Sequence, residues 1–358
     1  MSQWQLPQRQ SCSIWAGIAA GRTMLMAVTM VLSGLLFCGG AIGASPALAL
    51  ALPSEISIAT AYAADNFQTQ NLQMFADDVR RATNGKVNFK LYPAGSLLKP
   101  ADIFSGVRAG RAGAGEMMMS SLTHEAVIFG LDALPFIVSD YDDARRMWKA
   151  SRPAVAEALH AKDLELLYAV PWPGQNLYAT REIKSVIDFR GLRMRTYNQS
   201  TERIAELVGA SKVSFQVIEL ARAIEQEKLD LMLTSSWTGV DTKAWSRMHY
   251  YYKVNAWIPK NMVFIDAKLF AGLDAATKAI VREAAEVAER RGWKMSQESD
   301  RRYESQLAAN HVNVSTLDFF LRSYLDRMGE NLARDWLRKA GPDELNVLLK
   351  YTTERSMK

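Results

Sequence analysis

Cysteine is almost absent from this 358-residue chain: Cys12 and Cys38 are the only two, and both fall among the first fifty residues. Beyond residue 50 a disulfide-stapled scaffold, a cysteine nucleophile and a thiolate metal cluster are therefore excluded. Histidine is nearly as scarce. His124, His160, His249 and His311 are widely scattered, and no two share metal-ligand spacing on one element, so neither a metal nor a cofactor is expected. Missing too are a G-x-S-x-G elbow, a P-loop, an H-E-x-x-H helix and a G-x-G-x-x-G turn. The four glycines from Gly106 to Gly115 lack the Lys-Ser/Thr ending that a phosphate loop needs. There is no basic stripe interleaved with aromatics, and 43 basic against 38 acidic residues give a net charge of only +5, so nucleic acid is not an expected partner.

Acidic side chains are missing from the first 54 positions, where Arg9 and Arg22 are the only charges and Thr23–Ser54 has none. An apolar stretch from Met24 to Phe37 behind the positive flank of Arg22, followed by small residues at A-x-A spacing in Ala44–Ala49, has the form of an export signal. Residues 1–49 are read as a signal peptide cleaved near Ala49, with Ala51 as the neighbouring option. The uncharged run is also long enough for an uncleaved membrane anchor, but Pro46 and the alternating Ala and Leu favour a peptidase site. Lipidation at Cys38 is disfavoured by the bulky Phe37. The mature chain is expected in the periplasm.

The whole chain is 49% hydrophobic and 23% charged, the balance of a folded protein of one large or two ordinary domains. Ile56–Thr60 reads as a strand, Leu72, Phe75, Val79 and Ala82 as one face of a helix ended by Asn84-Gly85, and Lys86–Tyr92 as a second strand. The alternation continues with a helix at Ile103–Ala109, a strand at Met117–Met119, a helix at Asp142–Lys149 and a strand at Leu164–Val170. After Pro171–Gly174 come strands at Gln175–Thr180 and Leu192–Arg195, where Leu192 and Met194 face away from Arg193 and Arg195. A helix runs to Val208 before Gly209, then a strand at Val213–Val217, a helix at Glu219–Glu227 and a strand at Leu229–Leu233. This order predicts an α/β fold with open, largely parallel sheets. The pattern from Ala275 to Ala309 predicts one helix about 50 Å long at 1.5 Å per residue, enough to bridge two domains.

At Asp188-Phe-Arg-Gly-Leu-Arg-Met-Arg195 the chain resembles the solute receptors of tripartite ATP-independent periplasmic (TRAP) transporters. Thr83–Lys86, Val107–Gly110, Leu134–Phe136, Gly209–Ser211 and Glu219–Asp230 carry the resemblance in order over essentially all of the mature chain. It implies a two-lobed periplasmic-binding-protein-like α/β fold with crossing hinge strands and a long lobe-spanning helix. Lobe I would comprise 50–173 with 260–300 returning to it, and lobe II 174–259 with the C-terminal helices of 301–358. It also implies a small organic acid as ligand, TRAP permease membrane subunits as partners and no reaction of its own.

By the same resemblance, Arg195 meets the ligand carboxylate, and a planar guanidinium suits two parallel hydrogen bonds to that group. Gln175 stands where many relatives have a second Arg, and Val217 where a stacking Phe is frequent. Leu231–Trp237, with Ser235, Ser236 and Trp237 as its candidates, replaces the usual acidic segment, which disfavours a metal bridge. These departures favour a small monocarboxylate over a sialic acid or a uronate. Trp172 and Trp237 offer an apolar wall, Glu116 an acceptor for a ligand hydroxyl and Asn261 a donor; Asn71 and Tyr197 are further candidates. Two other functions share the pattern. An exported α/β enzyme acting on a carboxylate would have to draw on Glu116 with His124 or Glu125, and a ligand sensor serving a signalling partner would look the same in its residues.

Overall fold

The computed structural model describes residues 55–356 apart from Ser139, so the expected signal peptide at 1–49 lies outside the described residues. The chain opens with β1 (Glu55–Thr60), α1 (Phe67–Ala82), β2 (Asn88–Tyr92), α2 (Ile103–Arg108) and β3 (Ala114–Met118), then α3 (Tyr141–His160) and β4 (Leu164–Pro171). Next come β5 (Asn176–Ala179), β6 (Arg193–Thr196), α4 (Gln199–Val208), β7 (Ser211–Ser214), α5 (Val217–Glu225), β8 (Leu231–Thr234), α6 (Ser236–Asp241) and β9 (Tyr250–Tyr252). It closes with β10 (Lys260–Asp266), α7 (Ala267–Gly272), α8 (Ala275–Ala309), β11 (Asn313–Ser315), α9 (Phe319–Leu337) and α10 (Pro342–Ser356).

The strands form two sheets, in the orders β2-β1-β3-β10-β4 and β11-β9-β5-β8-β6-β7. Each is mixed rather than largely parallel. β10 runs antiparallel to both neighbours, β3 and β4, and β5 antiparallel to β8 and β9. The physical reason is the route of the chain. β4 leaves the first sheet at the end where β10 enters it, so the two must point in opposite directions. The connecting segments run side by side. Trp172 N donates to Pro259 O at 2.8 Å, Gln175 N to Trp257 O at 2.9 Å and Ala256 N to Gln175 O at 2.9 Å.

α8 is the third connection. Asp274 caps its N-terminus by accepting from Thr277 N at 2.9 Å. Over its 35 residues it packs first on α1 and β4 of one sheet's layer, then on α6 and β11 of the other's. Gly292 sits where a Cβ would come within 2.4 Å of Val170 and 2.8 Å of the Asn71 amide, so a glycine is what lets the helix lie this close.

Some element bounds differ from expectation for local reasons. α3 continues through Pro153 to His160 because its buried face, Ala144, Met147, Trp148, Ser151, Val155 and Leu159, keeps helical spacing past the proline. β7 stops at Ser214, and Val217 opens α5, since Gln216 N donates to Glu219 Oε2 at 2.9 Å in a capping box. Gly209 ends α4 in the left-handed region, at φ 74°. α10 packs on α3, with the Tyr351 hydroxyl on Asp143 Oδ2 at 2.8 Å. Among the described residues no helix is long and apolar enough to cross a membrane.

Candidate ligand-binding site

Arg193 and Arg195 share one face of β6, and their different neighbours along the strand decide which of them stays part-exposed and which is buried. Arg193 pairs with Asp230 through bonds of 2.7 and 2.8 Å and remains part-exposed. Arg195, two residues on, is 4% exposed, and among the described residues no carboxylate lies within ion-pair distance of it. Its Nε donates to the Phe215 carbonyl at 3.0 Å, and its guanidinium carbon lies 4.6 Å from the centre of the Tyr197 ring. Burial pushes its pKa down to about 10, so the guanidinium still carries its charge at neutral pH, in a place where charge is costly.

Two cavities meet at Arg195, between the sheets. The inner one, of about 30 Å³, is closed by Trp172, Gln175, Thr234, Ser235 and Thr238. The outer one, of about 340 Å³, is walled by Phe104, Met117, Leu122, His124, Glu125 and Gln216 among others. Tyr62, Met118, Arg195, Tyr197 and Val217 line both. The inner space has room for about one water, so a larger guest requires the outer space or a separation of the two sheets. Among the described residues, Arg195 is the only charged side chain lining the inner cavity.

Of the residues proposed from sequence, the structure gathers Arg195, Gln175, Trp172, Ser235 and Tyr197 around the inner cavity. Ser235 caps α6, its Oγ accepting from Thr238 N at 3.1 Å. Glu116 and Asn261 lie one layer deeper. Thr60 Oγ1 donates to Glu116 Oε2 at 2.6 Å and Asn261 Nδ2 to Glu116 Oε1 at 3.1 Å. Asn261 Oδ1 then accepts from Trp172 Nε1 at 2.8 Å and from the Tyr62 hydroxyl at 3.3 Å. Burial raises the Glu116 pKa against the opposing effect of its two hydrogen bonds.

Three of the proposed residues are not brought to this cavity. Ser236 turns its hydroxyl to Asp300 Oδ1 on α8, at 2.6 Å. Trp237 packs edge-on against Phe67 and Tyr303, with ring centroids at 5.6 and 4.7 Å, and lines a separate cleft with Asp65 and Arg302. Asn71 ties α1 to α8, donating to Ala288 O at 3.0 Å and accepting from Arg291 Nε at 2.8 Å.

Tyr62, Met118, Thr234 and Thr238 were not singled out from sequence. Their signal is positional: Tyr62, Met118 and Thr234 stand at or just past the carboxyl ends of β1, β3 and β8, where α/β sheets carry ligands. Among the described residues no three His, Cys, Asp or Glu side chains converge in a way that would hold a metal ion.

The profile of the bacterial extracellular solute-binding proteins, family 7, matches residues 58–324. Among solved structures the chain is similar to DctP6, a Bordetella pertussis extracytoplasmic solute receptor binding pyroglutamic acid. The two are 37% identical with a TM-score of 0.81, over 84% of this chain and 99% of that one. A marine metagenome TRAP solute-binding protein specific for pyroglutamate is 33% identical, with a TM-score of 0.81 over 84% of this chain and 98% of its own. A curated solute-binding protein of Albidiferax ferrireducens is 25% identical over 174 residues, 48% of this chain and 51% of its own length, so the chain is matched over about half of that relative.

Proposed function

The chain belongs to the family 7 bacterial extracellular solute-binding proteins, and from that premise we propose that it is a periplasmic TRAP receptor for a small monocarboxylate of the pyroglutamate type. One observation carries the reading: a buried guanidinium that no carboxylate of the described residues meets, at the junction of two cavities between the sheets. A carboxylate supplied by the ligand would complete an ion pair shielded from water.

The rest of the inner lining suits a ligand with one charge and a small polar ring. Thr234, Ser235 and Thr238 place hydroxyls there and Trp172 an apolar face, with no second cation among the described residues. The lactam of pyroglutamate has one N–H and one C=O to satisfy, which neutral hydroxyls can do. The solved relatives that bind pyroglutamate support this ligand class.

Closure supplies the signal. Ligand contacts drawn from both sheets favour the closed form, and the equilibrium shifts only by that differential affinity. The crossing segments and α8 are the joints about which the two sheets would move. The receptor then hands the acid to membrane permease subunits and performs no chemistry itself. The acid-free leader ahead of Glu55, with Arg22 before its apolar stretch, supports export to the periplasm by a cleaved signal peptide.

A thermal-shift screen of the purified mature protein against organic acids tests the proposal. Pyroglutamate is expected to give the largest shift among small acids, with glutamate far behind because its second carboxylate finds no cation. Stabilisation by uronates but not by pyroglutamate, or turnover of a bound acid, would overturn it.

A further inference from the structure

Two cavity-lining side chains direct their polar ends at each other. The Tyr197 hydroxyl donates to Gln175 Oε1 at 3.0 Å, and Gln175 Nε2 donates to the Pro173 carbonyl at 2.9 Å. Turning the amide over would set its oxygen against that carbonyl, so its orientation is fixed. The Gln175 backbone is bonded on both sides, to Trp257 and Ala256, within the crossing segment that joins the sheets.

The Tyr197 ring, tethered in this way, faces the Arg195 guanidinium at 4.6 Å. The other hold on that group is the bond from Nε to Phe215 O. One hold is a hydrogen bond at the Nε edge of the guanidinium, and the other sets the Tyr197 ring against its central carbon. The terminal nitrogens carry no hydrogen bond to any described residue and are left for a guest.

We propose that Tyr197 and Gln175 act as a single positioning unit that fixes the guanidinium plane of Arg195 for two-pronged capture of a carboxylate, instead of contacting the ligand themselves. The chain of contacts runs from the crossing segment to the cation, so the geometry of the anion site is set by the hinge. This rests on the reading that Arg195 receives the ligand's acid group. Arginine gains its advantage over lysine from a preset plane, and a cation–π face adds attraction as well as alignment.

The test uses Tyr197→Phe, Gln175→Met and the double variant in the full mature chain. Calorimetry would compare pyroglutamate with its uncharged carboxamide. NMR would follow hydrogen exchange of the Arg195 Nε–H without ligand, that resonance being assigned by its loss in Arg195→Lys. Each single variant should weaken pyroglutamate by about fivefold to twentyfold and leave the carboxamide unaffected, and the double variant should be no weaker than either single, as for residues acting as one unit. The Nε–H should exchange at least about tenfold faster in each variant as its local opening becomes easier.

Losses that multiply in the double variant would show separate ligand contacts and overturn the proposal. So would wild-type affinity and exchange, with or without a fall in Tm. A wild-type protein that ignores pyroglutamate would defeat the ligand reading, and the exchange rates would still decide the positioning role.

Discussion

Asn261 presents its amide nitrogen to Glu116 Oε1 at 3.1 Å, and this bond fixes the direction in which its oxygen faces, toward Trp172 and Tyr62. A buried carboxylate with no cation against it thus orients the wall of the ligand cavity from behind. Burial raises its pKa, so across the interval between the ordinary glutamate range and that raised value the folded chain holds more proton than the unfolded one. Stability attributable to Glu116 therefore falls as pH rises through the interval.

Glu116→Gln should remove that pH dependence. The glutamine can still give its oxygen to Asn261 and its amide to Thr60. Urea denaturation should find the variant gaining stability relative to wild type as pH rises from about 4 to 7, the direction set by linkage. Glu116→Ala instead strands the Asn261 amide and should cost about 1–3 kcal/mol throughout. A glutamine variant whose difference from wild type does not change with pH would contradict this account.

Arg195→Ala should weaken pyroglutamate binding at least about a hundredfold, because losing one partner of a buried ion pair costs about 3–5 kcal/mol. Calorimetry at matched pH measures it. Near-normal affinity would remove Arg195 from the site.

A second buried pair steadies the crossing. Lys260 Nζ lies 3.8 Å from Asp132 Oδ2, both side chains are 2% exposed, and the Lys260 backbone N–H donates to the same oxygen at 2.6 Å. Burial dominates both, pushing Asp132 up to about 6 and Lys260 down. Asp132→Ala leaves an ammonium without a counter-charge and should cost about 3–5 kcal/mol in thermal denaturation. Adding Lys260→Met should recover part of that loss. Additive losses would show that the two groups are not coupled.

Gly292→Ala tests how closely α8 is seated. Its methyl would meet Val170 and the Asn71 amide well inside van der Waals contact. Overpacking of this kind costs about 1–3 kcal/mol, and the midpoint of denaturation should fall accordingly. An unchanged midpoint would mean that the helix has slack at this crossing.

Much of this architecture was legible in the sequence, because local physics writes it there. The order of strands and helices followed from periodicity, Gly209 marked a helix end, and the long helix ran from Ala275 to Ala309 as its pattern required. Strand direction was not legible. The antiparallel placement of β10 and β5 depends on the end at which a crossing segment enters a sheet, and no local window records that. The site divided in the same way. Alternation in Leu192–Arg195 puts Arg193 and Arg195 on one face, and they are told apart only once a partner such as Asp230 is known, 37 residues away. Trp172 and Trp237 looked equivalent as apolar walls, and both touch Phe67. Trp172 lines the inner cavity, whereas Trp237, the second residue of α6, is drawn toward Tyr303 on α8. Tyr62 escaped notice because a tyrosine after a short strand has no distinctive spacing.

The most direct test of the central claim is a crystal structure of the mature protein grown with pyroglutamate. The account predicts the ligand carboxylate within about 3 Å of both terminal nitrogens of Arg195, the usual length of a charge-assisted bond, with the lactam toward Thr234, Ser235 and Thr238. A ligand whose acid group is bound elsewhere, with the Arg195 side chain turned out of the cavity, would contradict it.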